Sequence, residues 1–463
     1  MKNIIYLSCL FLLLATACSE DDPFEGDNSA PEPFQVTVTS RGPATADLEW
    51  NATTDPDGDS ITYAVEISGR KVISGLKTNK YKLTGLHADS TYNGHVVAID
   101  KRGAYTPAGF KILPTPDRIL LTTGNYIDGL SSLDENGTVS WRFGYPVSAV
   151  PAVSGDTIFA GADKLYAAKV SDGKLLWTNS DAPVQLRATA ILHYQHKLYY
   201  TASTKTVAVN AVTGATLWSV TRSGTGNIAV SNGLLYTVTN GHLYALDMSN
   251  GNLKWDFPTS GFTTSPRVKD GIVYVASHAS NNVWEGYLYA VDAVTGAAKW
   301  QVKFPGQVVQ PNDGVIGSPT VSGNLVCLPV YTHPQTGVTG NVMAVNTTSG
   351  AIVWQTPVGG NIALADATGI YVVSGSVISK LDKTTGAVNW SVAGTYRSEA
   401  TIADDKLYIF TGNSNDAAIS VFSTATGAKL KSINFTLVFN PFILVLKGGK
   451  TYYPATSGMN PLN

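Results

Sequence analysis

The sequence predicts an all-β protein, a small β-sandwich followed by a β-propeller, and three observations carry that expectation. Short runs of alternating apolar and polar residues are broken by Gly, Pro, Asn and Asp along the whole chain. From about residue 117 onward, one pattern recurs every 36 to 54 residues. Strand-favouring Tyr (22) and Trp (9) are plentiful, while charged residues make up only 14% of 463 residues. Lys+Arg 32 against Asp+Glu 34 leaves a net charge of −2 with no basic tract, which excludes a nucleic-acid partner. Gly 44 and Pro 22 are ordinary usage and exclude a collagen-like or low-complexity chain.

The N-terminus reads as a targeting segment. Lys2 supplies a positive start, and Ile4 to Leu14 is apolar but too short to span a bilayer stably. Ala15-Thr16-Ala17 then precede Cys18. This resembles a bacterial lipobox, which implies a signal peptide over 1–17 and lipidation at Cys18; an ordinary signal peptide with an incidental cysteine is the alternative. Ser19-Glu20-Asp21-Asp22, Pro23, Glu25 and Pro31 make residues 18–32 an acidic tether, expected to be disordered. An acidic stretch at this place resembles the surface-export signal of some Gram-negative lipoproteins. The expectation is an outer-membrane lipoprotein facing the periplasm or the cell surface, attached to the membrane through its lipid alone. Of the cysteines, Cys9 leaves with the signal and Cys18 takes the lipid, so the mature chain can form no internal disulfide. Cys327 sits in the apolar run Leu325-Val326-Cys327-Leu328 and reads as core packing, and no cysteine cluster suits zinc.

Residues 33–116 carry six short alternating runs, at 34–39, 46–50, 61–67, 81–83, 92–100 and 109–113, the rhythm of a sandwich. Trp50, Tyr63 and the stretch Leu86-His87-Ala88-Asp89-Ser90-Thr91-Tyr92 make the reading specific. The segment resembles a fibronectin type III module, with a core tryptophan and a tyrosine corner, although Ala88 stands where that corner carries proline. The resemblance implies a spacer or partner-binding unit. Within it, Asp55, Asp57 and Asp59 alternate around Gly58. Such carboxylates could ligate calcium, a hard cation that wants oxygens on a tight turn. They are equally the residues of a plain turn.

Residues 117–463 hold the repeat. An apolar strand, an Asp or Asn, a turn ending in Gly, and a Trp four residues later recur eight times. The glycines are Gly137, Gly173, Gly214, Gly251, Gly296, Gly350, Gly386 and Gly427, spaced 36, 41, 37, 45, 54, 36 and 41 residues apart. The tryptophans are Trp141, Trp177, Trp218, Trp255, Trp300, Trp354 and Trp390; in the eighth copy Lys431 holds the place. A period of 36–41 residues accommodates four short strands, which is one propeller blade. The glycine supplies the left-handed residue of the hairpin between the third and fourth strands. The tryptophan can lie against the next blade, where burying an indole is worth about 2–3 kcal/mol per seam.

The pattern Leu-Tyr-Ala-Leu/Val-Asp…Thr-Gly…Trp, best kept at 243–255 and 288–300, resembles the pyrroloquinoline-quinone-enzyme repeat. The resemblance implies an eight-bladed propeller, shared by quinoprotein dehydrogenases and by the propeller lipoprotein of the barrel-assembly machinery. The dehydrogenases carry a vicinal cysteine pair and acidic calcium ligands beside their cofactor. No two cysteines are adjacent here and no acidic pair stands out, so the expectation is no cofactor and no catalysis. His193-x-x-His196 lacks a third ligand nearby and reads as surface histidines, and no hydrolase motif occurs.

What remains is a binding ring, expected to act as a monomer with a protein or glycan partner in the cell envelope. The long steps of 45 and 54 put their excess into loops on one face. Those loops carry Trp284 and Tyr287, then Asn312 and Asp313, then Tyr331 and His333. Aromatic faces beside planar amides suit sugar or peptide, although an insertion with a hydrophobic plug explains them too. Arg187, Asn227 and Arg397 sit where inner strands meet the central channel. Envelope assembly, as in the barrel-assembly propeller, is the second function. Finally, the first hairpin, 130–143, precedes every inner strand. The chain's C-terminus, around 442–446, is therefore expected to close the blade of Trp141, with 119–123 as that blade's second strand.

Overall fold

A computed structural model describes residues 28–453 apart from 42–44, 87–89, 113–116, 123–128, 135, 181–189, 203, 223, 225, 240, 279–285, 305–316, 333–338, 361, 397–399, 413–417, 435–442 and 448–449. Every regular element among the described residues is a β-strand. None of them forms a helix long and apolar enough to cross a membrane. The chain divides into two compact units whose main boundary lies between Ile112 and Leu113.

Ahead of that boundary stand two sheets. One orders Val36–Arg41, Thr45–Trp50 and Lys80–Thr84; the other orders Arg70–Leu76, Thr62–Ile67, Tyr92–Ile99 and Tyr105–Ile112. Trp50 and Tyr63 are both buried, their rings 5.4 Å apart and edge-on. The alternating runs predict these strands, and the buried Trp50 and Tyr63 are what the fibronectin type III resemblance implies. Strand Arg70–Leu76 was not among the six runs, because nearly all of its residues are exposed or half-exposed and leave no alternating trace.

Beyond it stand eight sheets of four or five strands. Seven are continuous in sequence: blades 2 to 8 at 152–179, 192–220, 229–258, 262–303, 320–356, 362–393 and 401–434. Each lays its strands A to D side by side in chain order, and inner strands neighbour one another between blades 2 and 3, 4 and 5, 5 and 6, 6 and 7, and 8 and 1. Blade 5 divides its inner strand into Phe262–Thr263 and Arg267–Lys269, both paired with Ile272–His278.

Blade 1 is assembled from both ends of the propeller. Its order from outside inward is Val139–Phe143, Leu130–Leu133, Arg118–Thr122, Ile443–Lys447 and Lys450–Tyr452. Ile443 faces Leu121 and Val445 faces Ile119 across an antiparallel ladder. The C-terminal closure is therefore as the sequence predicts, and the surplus strand becomes a fifth, innermost one. Side-chain alternation explains why this sheet holds the ring. Ile119, Leu121, Ile443 and Val445 enter a cluster with Tyr408, Phe410 and Ile433 of blade 8. Leu120, Leu444 and Leu446 point the other way, to Val153, Ile158 and Tyr166 of blade 2. A sheet covered on both faces needs apolar residues at every position, hence the unbroken Ile119-Leu120-Leu121.

Candidate functional site

The repeat tryptophans build the seams between blades. Each indole N–H donates to a backbone carbonyl of the following blade: Trp141 to Val170 (2.7 Å), Trp177 to Ala211 (3.2 Å), Trp218 to Met248 (3.0 Å) and Trp255 to Ala293 (3.2 Å). Trp300 reaches Thr347 (3.0 Å), Trp354 Lys383 (2.8 Å) and Trp390 Thr424 (3.2 Å). Each acceptor lies three residues before the repeat glycine of its own blade. That glycine carries two constraints. Gly296 has φ +72°, and a Cβ there would stand 2.7 Å from Trp255 Cδ2; its counterparts meet the preceding indole in the same way.

Sequence reading missed a second donor at four of these carbonyls. Strand B places a buried tyrosine beside the indole of its own blade, and its hydroxyl reaches the same oxygen. Tyr199 lies 3.3 Å from Met248 O, Tyr236 2.9 Å from Ala293 O, Tyr274 3.4 Å from Thr347 O and Tyr371 3.4 Å from Thr424 O. Burial pushes the Tyr236 and Tyr274 hydroxyls up to about 12, so they remain donors throughout the physiological range. The signal was visible as Leu-Tyr, Val-Tyr or Ile-Tyr pairs in the second strands of blades 3, 4, 5, 7 and 8. Three blades depart: Leu120, Phe159 and Cys327 hold the place in blades 1, 2 and 6. Cys327 is fully buried, which pushes its thiol up to about 12 and leaves it unreactive, as its apolar run predicts. In blade 7, Lys380 replaces the alanine that faces the tryptophan in blades 2 to 6. Its buried ammonium donates to Thr424 O and Thr368 Oγ1, each at 2.9 Å.

The eighth seam is different. Lys431, opposite Val421, sends its Nζ to Asn136 Oδ1 at 3.3 Å, and Ile433 instead packs against Gly137. The carbonyl that would receive an indole, Asp134 O, is taken at 3.0 Å by the N–H of Gly137 in a tighter turn. The C-terminus reinforces this joint on both sides. The Tyr452 hydroxyl donates to Asp404 Oδ1 of blade 8 at 3.0 Å. Tyr453 Oη accepts from Val153 N at 3.0 Å and lies 3.3 Å from Val153 O in blade 2.

Of the residues expected to bind a ligand, Trp284, Asn312, Asp313, His333, Arg187 and Arg397 lie outside the described residues. Tyr331 is described in its backbone alone, opposite Gly340 near the end of strand Leu325–Thr332. Tyr287 starts the third strand of blade 5; it is half-buried, with its ring 5.9 Å from Tyr289. Both therefore lie at second-to-third-strand loops of adjacent blades. Asn227, expected to face the channel, is buried instead. Its Oδ1 accepts from Ala190 N at 2.6 Å and its N–H donates to Ser265 Oγ at 2.9 Å, so it ties three consecutive inner strands together.

In the sandwich, Asp55 Oδ1 accepts the N–H groups of Asp57 and Asp59, while Arg102 grips Asp57 at 3.0 Å and Asp59 at 2.8 Å. Three carboxylates are thus arranged as an arginine-clamped turn. No group of three His, Cys, Asp or Glu among the described residues is placed to hold a metal ion. His193 stacks on Phe159 at 5.7 Å, and burial lowers its pKa, with His196 adding to the shift. His193 is half-buried in the seam between blades 2 and 3, while His196 is exposed as its sequence context predicts.

Comparison with known proteins bears on this geometry. Residues 128–432 match the family described as outer membrane protein assembly factor BamB, in four overlapping stretches at 128–223, 203–329, 284–355 and 338–432. Residues 29–110 match the fibronectin type III domain. No curated protein matches the chain. Among solved structures, BamB from Moraxella catarrhalis is 18% identical, over 64% of this chain and 88% of that one, with a TM-score of 0.49. Dihydro-heme d1 dehydrogenase NirN is 9% identical over 70% and 74% of the two chains, with a TM-score of 0.53. Quinohemoprotein alcohol dehydrogenase from Comamonas testosteroni is 12% identical over 68% and 75%, with a TM-score of 0.46. At such identities the likeness concerns the fold.

Proposed function

Because this chain belongs to the family of the outer membrane protein assembly factor BamB, we propose that it is a non-catalytic scaffold of the cell envelope, held to the membrane by a lipid on Cys18. Residues 1–17 are the signal peptide in this reading, 18–32 the tether, 33–116 the sandwich and 117–463 the propeller. The ring presents a loop face to a protein or glycan partner. One observation carries the reading: the aromatic and hydroxyl groups of the repeat are spent on carbonyls of the next blade, so the repeat builds a rigid platform. The chemistry of recognition then falls to the loops, and the longest insertions bring Trp284, Tyr287, Asn312, Asp313, Tyr331 and His333 to blades 5 and 6.

Oxidoreductase chemistry is disfavoured by the chain itself. Cys9, Cys18 and Cys327 provide no vicinal pair, and the propeller cysteine is buried at a seam. A more specific second reading, assistance to outer-membrane protein assembly, is favoured by the description of the matched family. The test uses the full-length protein. Affinity capture from solubilised envelopes and a glycan array should each be run against Trp284→Ala. A partner retained by wild type and lost by the variant, with an unchanged melting temperature, supports the loop face. Alcohol or aldose oxidation above a cofactor-free control, after supplying pyrroloquinoline quinone and calcium, would overturn the non-catalytic assignment.

A further inference from the structure

The eighth seam, alone in lacking a tryptophan at the repeat position, keeps a cavity of about 250 Å³ between blades 8 and 1. Ladder register identifies this cavity with the seat an indole takes elsewhere. On the blade 8 side it is lined by Tyr408, Val421 and Lys431, which face one another across strands B, C and D. Tyr236, Ala245 and Trp255 hold those three places in blade 4, and Tyr274, Ala290 and Trp300 hold them in blade 5. On the blade 1 side it is lined by Val445 and Ile119, paired between strands A and B. Their counterparts Val268 and Val273 pack with Trp255, and Val321 and Val326 pack with Trp300. Tyr408, Val421, Ile119 and Val445 are all buried, so the floor is apolar. Lys431 leaves the space open, its ammonium drawn to Asn136 Oδ1 at 3.3 Å. Blade 1 also lacks a closure that other blades have. In blades 4 and 5 the A–B turn carbonyls of Gly233 and Gly271 accept from the N–H groups of Met248 and Ala293, the residues whose own carbonyls take the indole. Strands A and B of blade 1 come from opposite ends of the propeller, so no such turn joins Leu446 to Arg118 at the edge of the cavity.

We propose that the eighth seam binds a free small aromatic compound, one or two fused rings of about the size of indole. The class follows from what fills the same place at the other seven seams. There the rings of Tyr199, Tyr236, Tyr274 and Tyr371 lie 6.1, 5.7, 5.9 and 6.0 Å from the indole of their own blade, and Tyr408 offers an incoming ring the same tilted contact. The size follows from the volume. An apolar protein cavity of about 150 Å³ takes up benzene. The cavity here is larger than that but below the drug-sized range, which suits a bare ring system better than a ring carrying peptide groups. The inference rests on the seam alone and does not depend on the envelope reading.

Fluorine NMR on the full chain tests it with 5-fluoroindole as probe. The expected dissociation constant is about 0.1–1 mM, the range that one small buried ring system supports. Lys431→Trp combined with Val421→Ala rebuilds the alanine–tryptophan pair of blades 2 to 6 and should abolish binding. The apolar floor rather than the ammonium holds the ring, so Lys431→Met should bind the probe as wild type does. N-acetyltryptophanamide, whose ring carries peptide groups, should compete at least about tenfold more weakly than indole. No titratable shift or broadening with wild type, undiminished binding to the rebuilt variant, or loss of binding in Lys431→Met overturns the site. Competition by N-acetyltryptophanamide as strong as that by indole overturns the assignment to a free compound. If the rebuilt variant does not fold, a wild-type crystal soaked with 5-bromoindole decides. The bromine signal is expected between Tyr408 and Val445, and its absence there, or equal signals at the other seams, overturns the proposal.

Discussion

Two donors on one carbonyl should make the seams non-additive, and the seam between blades 4 and 5 is the place to measure it. Ala293 is fully buried, and its oxygen receives Tyr236 Oη at 2.9 Å and Trp255 Nε1 at 3.2 Å. Tyr236→Phe or Trp255→Phe leaves the carbonyl one donor, so the hydrogen-bond part of each loss is about 0.5–1.5 kcal/mol. The double variant leaves a buried oxygen with neither, which adds a desolvation cost of about 1–3 kcal/mol present in neither single. The coupling energy should therefore be about 1–2 kcal/mol, with the double variant worse than the sum. The seam between blades 6 and 7 supplies the control. There Cys327 occupies the tyrosine's place and Trp354 donates to Lys383 O at 2.8 Å without hydroxyl support. Trp354→Phe alone should cost about 1 kcal/mol more than Trp255→Phe. Urea unfolding followed by far-ultraviolet circular dichroism gives the values, read from midpoints at constant slope. Additivity within about 0.5 kcal/mol at Ala293, together with equal costs at the two seams, would refute the double-donor account.

Four further outcomes follow from the same geometry. Truncation after Asn440 removes Ile443, Leu444, Val445 and Leu446, all buried, from two clusters. Their burial is worth about 6–12 kcal/mol, as much as a whole domain's stability, so the truncated chain should show no cooperative melt. Gly296→Ala combines φ +72° with a Cβ 2.7 Å from Trp255 and should cost at least about 2 kcal/mol, whereas Gly271, at φ +74° with open space around it, should accept Asn almost without change. Both are read in the same urea assay. Hydrogen bonds from Ser249 and Lys254 hold the Asp247 carboxyl down to about 2, and the Asp292 and Asp382 carboxyls are lowered by turn N–H groups and threonine hydroxyls. A depressed carboxyl stabilises the fold above its unfolded value of about 3.9 and stops doing so as pH falls through its folded value. The melting temperature should thus decline from about pH 4 towards pH 2, and less steeply in Asp247→Asn. Finally, Cys18→Ala should abolish palmitate labelling; unchanged labelling would refute the anchor.

The eight repeats, the tryptophan and glycine of each, the fibronectin-like sandwich and the C-terminal clasp were legible in residue order. Each rests on local chemistry: a turn that demands φ above zero, an alternation that exposes one face or neither, and a count of strands that leaves the first blade one short. Tertiary structure decided which groups share a partner. Nothing local in Tyr236 says that its hydroxyl reaches the carbonyl Trp255 uses, since Ala293 is 57 residues away and reaches both only across a blade boundary. The same holds for Asn227, which sequence position sent to the channel and packing sent into a link between three inner strands. The cavity at the eighth seam is a further case. Lys431 in place of tryptophan is visible in the sequence, but whether the neighbours collapse into the lost volume depends on how far rigid sheets on either side can move. Here Ile433 fills part of it, Asn136 draws the lysine aside, and the remainder stays open beside Arg118.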